Sequence, residues 1–142
     1  MEFTKNINAE IVLNNIIDDK LDKFAKTFIA KCNMLSKWED VVGCWDGNNL
    51  CGIILVTISK RSPYCANLQL LHTFSKYRKL GVGKKLCEYV FSMVKDDAEY
   101  FRVSSEPESV GFYKKIGFRF WGLQKSNCYL SLFKINGGSI FD

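Results

Sequence analysis

The sequence predicts an α/β fold in which about six or seven strands form a mixed central sheet flanked by helices. Three observations point there. Apolar side chains change from helical spacing early in the chain to strand-like runs in the middle; a strand, a glycine turn and an amphipathic helix follow one another over residues 66–94; and two strand-like segments close the chain as a hairpin. At 142 residues, 47% hydrophobic and 14% aromatic, the chain has the length and apolar content for a single domain over residues 1–142, and no repeat or low-complexity linker divides it.

Over residues 18–36, Leu21, Phe24, Ala25, Phe28, Cys32 and Leu35 recur at the spacing of a helix with one buried face, and Asp18 and Asp19 stand at its start, where helix amides favour an anion. The period then changes. Residues 41–45 and 50–59 are rich in β-branched and aromatic side chains and flank Asp46-Gly47-Asn48-Asn49, the signature of a β-hairpin. Ser62-Pro63 breaks the sheet before a third strand over residues 66–74. From residue 82 the apolar positions Val82, Leu86, Tyr89, Val90, Met93 and Val94 return to helical spacing, with Lys84, Lys85, Glu88, Ser92 and Lys95 mostly on the other side. Residues 100–104 form the next strand. Ser105-Glu106-Pro107-Glu108 offers a serine cap, an early proline and a glutamate three residues on, which starts a short helix that stops at Gly117. Residues 118–124 and 127–135 form the closing hairpin.

Composition narrows the function classes. A net charge of +5, from 20 Lys+Arg against 15 Asp+Glu, suits an anionic partner without requiring nucleic acid, and the acids are spread through the chain instead of segregated from the bases. The N-terminus has no apolar signal-peptide region, and the apolar run at residues 50–58 is far shorter than the roughly 20 residues that cross a bilayer, so a cytoplasmic protein without membrane contact is expected. Six cysteines (Cys32, Cys44, Cys51, Cys65, Cys87, Cys128) form no C-x-x-C pair, and His72 is the only histidine; reduced thiols packed as small hydrophobes, and no metal, are expected.

The turn in "YRKLGVGKKL", residues 77–86, carries the most chemistry. Backbone N–H groups in a glycine-bent turn, followed by the positive end of a helix dipole, make a concavity for phosphate oxygens. A Walker A loop fails here because Arg78 and Lys85 stand where Gly and Ser or Thr are needed, and a dinucleotide fingerprint fails because Leu86 replaces the third glycine. What fits is Arg78-Lys79-Leu80-Gly81-Val82-Gly83, an R/Q-x-x-G-x-G/A pattern between a strand and an amphipathic helix. Together with Leu71-His72-Thr73-Phe74-Ser75-Lys76-Tyr77 ahead of it and Val110-Gly111-Phe112-Tyr113-Lys114-Lys115-Ile116-Gly117-Phe118 further on, it resembles the GNAT superfamily of N-acetyltransferases, over about residues 41–135. The family's first strand then falls in residues 2–7 or 11–13.

The resemblance implies acetyl-CoA as co-substrate and a direct attack of an amine on its thioester. Backbone amides over residues 79–84 (Lys79, Leu80, Gly81, Val82, Gly83, Lys84) would bind the pyrophosphate, with Arg78 shaping the loop and Lys76, Lys79, Lys84 and Lys85 adding positive field. Leu71, His72 and Thr73 would pair through main-chain groups with the pantetheine arm. Tyr113 occupies the position of the tyrosine that many members place against the thioester sulfur as general acid. For the general base, Glu106 is named with Tyr113, while Glu108, Glu39, Asp40, His72 or a water held by Ser104 and Ser105 stay open, because Asn67-Leu68-Gln69-Leu70 lacks the carboxylate many relatives carry on the fourth strand. Trp38, Trp45 and Trp121 are either pocket walls or core, with core expected for at least two, and Glu39, Asp40 and Asp46 either attract a cationic amine or are solvated.

The acceptor is then a primary amine of a small molecule or a protein, and a homodimer is compatible. Two other classes stand beside this one: a GNAT-fold module that binds CoA or another ligand without transfer, and, more weakly, a basic nucleic-acid-binding domain.

Overall fold

The computed structural model describes residues 1–5, 11–12, 14–15, 41–58, 65–94, 96–98, 100–105, 109–123 and 129–134. Its strands are β1 (Glu2–Thr4), β2 (Val42–Asp46), β3 (Asn49–Ile58), β4 (Cys65–Thr73), β5 (Tyr100–Ser105), β6 (Arg119–Leu123) and β7 (Tyr129–Lys134); its helices are α1 (Val82–Val94) and α2 (Val110–Lys115), with a 3-10 turn at Ser75–Tyr77. The hydrogen-bonded strand order is β1-β2-β3-β4-β5-β7-β6, seven strands among the described residues. β4 and β5 pair in parallel, and β7 enters antiparallel between β5 and β6, so the sheet is mixed as expected. Among the described residues no helix is long and apolar enough to cross a membrane. The expected helix over 18–36 and the Ser62-Pro63 break lie outside the described residues.

The chain groups into two compact units, Met1–Val56 with Leu70–Tyr89, and Thr57–Gln69 with Val90–Asp142. In the first, the β2–β3 hairpin turns where the sequence places it, with Asp46 paired to Asn49 and Gly47 at φ +59, a left-handed backbone that glycine adopts without cost. Its core gathers Val12, Val41, Leu50, Ile53, Leu55, Leu70 and Phe74, with Trp45 and Tyr77 packed against it. Trp45 also donates its indole N–H to Thr4 Oγ1 at 2.8 Å, so this tryptophan ties β1 to β2 and is structural. Of the two positions open to a first strand, residues 2–4 take the role; Ile11 and Val12 are helical.

The second unit holds an aromatic core. Phe91 meets Phe101 edge-on at 4.6 Å between centroids and Phe118 at 6.0 Å. Helix α2 ends as Gly117 predicts, with its φ at +109: Phe118 N–H reaches back to Tyr113 O at 2.9 Å and Gly117 N–H to Lys114 O at 3.2 Å, the paired bonds of a Schellman cap, accompanied by its usual apolar contact, here Tyr113 on Phe118 at 5.4 Å. The start of α2 differs from expectation. Ser105 is the last residue of β5, opposite Tyr129 of β7, and does not cap a helix; Ser109 precedes Val110 without a side-chain cap. Pairing with β7 outcompetes the local capping signal because it holds the main chain of Ser105 in the ladder, even at the cost of a buried hydroxyl that meets no partner among the described residues.

Cys44, Cys51 and Cys87 are buried, Cys65 is half-buried, and none of these is bridged. Burial, aided by the neighbouring Glu88 charge, pushes the Cys87 thiol up to about 12. Burial also raises Cys44, with Cys51 nearby adding to it, and Cys51, with Asp46 adding to it. These cysteines behave as small apolar side chains, as their sequence surroundings imply.

Candidate anion-binding and acyl-transfer site

The glycine turn sits between the 3-10 turn and α1, in the first unit. Phe74 N–H bonds Cys51 O of β3 at 2.9 Å, Tyr77 N–H bonds Phe74 O at 2.8 Å, and Arg78 Nε donates back to Thr73 O at 3.3 Å. Arg78 therefore ties the loop back to the end of β4. Two left-handed residues follow in quick succession, Lys79 at φ +65 and Gly81 at φ +77. For Gly81 this is free; for Lys79 it costs on the order of 1 kcal/mol. Reversals of φ of this kind turn consecutive N–H groups toward a common concavity.

Helix α1 then begins without a cap of its own. Lys85 N–H bonds Gly81 O at 3.0 Å, which makes Gly81 the residue before the first turn, and glycine has no side chain to give. The amides of Val82, Gly83 and Lys84 precede the helix ladder, and the first turn contains no acidic residue to meet them. Such a helix start is suited to an anion. Lys76, Lys79, Lys84 and Lys85 are all exposed around it. Lys84 Nζ lies 3.9 Å from Glu88 Oε1, a loose exposed pair of the kind that contributes little to stability. Leu80 projects at the tip, 57% exposed.

Gly52 of β3 brings this helix start down onto the sheet. A Cβ there would stand 2.9 Å from His72 O, 2.9 Å from Val82 Cγ1 and 3.1 Å from Leu86 Cδ1, so the first turn of α1 seats against bare backbone beside the last residues of β4. Nothing in the reading of the sequence singles out Gly52, although an isolated glycine inside an apolar strand is the usual mark of a close approach. Gly52→Val is expected to destabilise the fold by about 1–3 kcal/mol in urea unfolding and to weaken anion uptake at the loop, because the helix start must lift away.

Leu71, His72 and Thr73 are half-buried at the end of β4. The His72 ring stands edge-on to Phe74 at 5.1 Å and 84°, the setting of a packed strand side chain. In the second unit the parallel ladder between β4 and β5 runs only from Cys65↔Tyr100 to Leu68↔Val103, so the two strands continue past their last shared pair. Tyr113 is 7% exposed on α2, its ring edge-on to both Phe112 at 5.1 Å and Phe118. Glu106, Glu108, Glu39, Asp40 and Trp38 lie outside the described residues, and Asp46 is the exposed last residue of β2, beside the hairpin turn.

The family model described as acetyltransferase (GNAT) domain matches residues 12–134. Comparison with curated proteins finds no match. Among solved structures, an aminoglycoside 6'-N-acetyltransferase complexed with coenzyme A is similar at 13% identity, covering 95% of this chain and 97% of its own, with a TM-score of 0.75. An aminoglycoside 6'-acetyltransferase type Ii is similar at 18% identity, 95% and 97% coverage and a TM-score of 0.73. An acetyltransferase of the GNAT family from Staphylococcus aureus Mu50 gives 16% identity, 95% and 99% coverage and a TM-score of 0.73.

Proposed function

The chain belongs to the GNAT acetyltransferase family, and from that premise we propose that it transfers the acetyl group of acetyl-CoA to a primary amine by direct attack. The observation that supports this most is the uncapped start of α1 behind the left-handed pair Lys79 and Gly81, a set of main-chain donors without an acidic side chain to satisfy them. A pyrophosphate supplies two linked anions of the right size for those amides, and the exposed lysines around them favour a phosphorylated cofactor.

In this reading the pantetheine arm pairs with the main chain of Leu71, His72 and Thr73 and brings the thioester to the point where β4 and β5 part. The amine nitrogen attacks the carbonyl carbon; the C–N bond forms, charge collects on oxygen and is met by backbone N–H donors, and the C–S bond breaks. The departing thiolate takes a proton from Tyr113, and the new amide loses one to a base, for which Glu106 is the first candidate.

Calorimetric titration with acetyl-CoA, beside a thiol-release assay over a panel of amines, tests the proposal: saturable uptake and amine-dependent release of CoA are expected. A second reading, a CoA-binding module without transfer, is favoured by one feature, since Asn67 and Gln69 put amides on β4 where a carboxylate base would help. Uptake without amine-dependent release would decide for it.

A further inference from the structure

Resting on the acetyl-CoA reading above, we infer that the acceptor is an amine bearing a carboxylate, of the amino-acid class, and that Arg102 holds that carboxylate. The two faces of β4 and β5 differ in chemistry. On one face Ala66, Leu68, Phe101 and Val103 are buried, and Phe101 packs against Phe91 and Phe118, so this side is filled. On the other face the register puts Asn67 opposite Arg102, with Gln69 and Ser104 two residues further along their strands. That face is half-buried on β4 and exposed on β5. An amine is strongly hydrated and needs room to approach a carbonyl; of the two faces, only the polar one offers both.

The chemistry of that face is then the chemistry of the acceptor. Arg102 Nε donates to Asn67 Oδ1 at 2.9 Å, and Gln69 Nε2 donates to Thr57 Oγ1 at 2.9 Å. The first bond fixes the guanidinium by its inner nitrogen. Its outer amino groups meet no carboxylate among the described residues, and they form a planar fork of the kind that takes a carboxylate through two parallel bonds. The last shared pair of the ladder is Leu68↔Val103, one residue beyond Asn67 and Arg102, so the fork stands next to the place where the strands part.

A polycationic acceptor finds no counter-charge on this floor. β3, β4 and β5 contain no Asp or Glu over Asn49–Ile58, Cys65–Thr73 and Tyr100–Ser105, whereas a bound carboxylate would be paired and would present the neighbouring amine to the gap. The sequence shows Arg102 only as a polar position in an alternating strand. Its meaning depends on the register with Asn67, which no local pattern encodes.

The test uses the full chain with saturating acetyl-CoA and matched acceptors that differ only in the carboxylate: tyrosine and tyramine, histidine and histamine, lysine and cadaverine. The wild type is expected to show kcat/KM at least about tenfold higher for the amino acid in a majority of pairs. Arg102→Gln is expected to bring that ratio close to one while the acetyl-CoA Kd, read by calorimetry, stays within about twofold; Arg102→Lys, which keeps the charge and loses the fork, should fall between. Equal or reversed preference in the wild type, or preference surviving in Arg102→Gln, overturns the inference. Acetyl-CoA uptake with no turnover of any amino acid also overturns it and leaves the donor reading standing, whereas absent acetyl-CoA uptake removes the donor reading and this inference with it.

Discussion

Gly83→Trp is expected to abolish acetyl-CoA binding, with a loss of at least about a hundredfold in Kd, equivalent to roughly 2.7 kcal/mol. Gly83 is buried in the first turn of α1, one residue past Val82, and its amide belongs to the set that the helix ladder leaves unmet. A phosphate oxygen must come within roughly 3 Å of such an N–H, while non-bonded carbons keep about 3.5–4.0 Å, so an indole over this amide and an anion on it exclude each other. Intrinsic propensity does not favour glycine here, since tryptophan is the better helix former. Loss of binding in a protein that still melts cooperatively therefore reports on the filled concavity. Gly83→Ala adds a single methyl and should show a smaller loss in the same titration. Saturable uptake by folded Gly83→Trp within tenfold of the wild type would remove this loop from the site.

Tyr113→Phe is expected to lower turnover by about a hundredfold, the lower end of what a positioned general acid contributes, with acetyl-CoA affinity changed less than about twofold. The expectation is sharp because the Schellman cap fixes the ring. Tyr113 O accepts from Phe118 N–H through the main chain, and the ring lies between Phe112 and Phe118, contacts that phenylalanine reproduces. Stability should therefore change by no more than about 1.5 kcal/mol, the ordinary worth of one hydrogen bond. Steady-state kinetics of the amine-dependent reaction, compared with calorimetric affinity for acetyl-CoA, separates the two effects. An unchanged turnover number in the variant would assign Tyr113 to packing alone.

Much of this architecture is legible in local sequence, and the legible parts share a cause. Gly47 between Asp46 and Asn49, Gly81 ahead of Val82 and Gly117 after Lys115 all take positive φ, a demand on the backbone that residue type announces directly. The switch of apolar spacing at residue 82 is likewise a local signal, because one helix face must be covered. Where the reading failed, a distant partner decided the outcome. Ser105 carries a good capping signal but is held in β5 by Tyr129, and no window around Ser105 contains that strand. The insertion of β7 between β5 and β6 is of the same kind, as is the close seat of Val82 and Leu86 on Gly52. Lys79 is different again: its left-handed backbone is imposed by the loop around it, and lysine gives no hint of it. For the candidate site, the main-chain donors could be anticipated from the glycines, whereas the Arg102 fork depends on parallel register and could not.

The raised thiols bear on how the protein would withstand the acyl thioester proposed as its co-substrate. An activated acyl group is open to any sulfur nucleophile, and a chain with six cysteines risks becoming the acceptor itself. Only the ionised sulfur attacks, and with Cys87 held at about 12 its reactive fraction near neutrality is of order one in 10⁵. Cys44 and Cys51 are shifted in the same direction and shielded by the same strands. At these three positions the raised thiol and its enclosure both act against acylation by the acyl thioester of the proposed reaction.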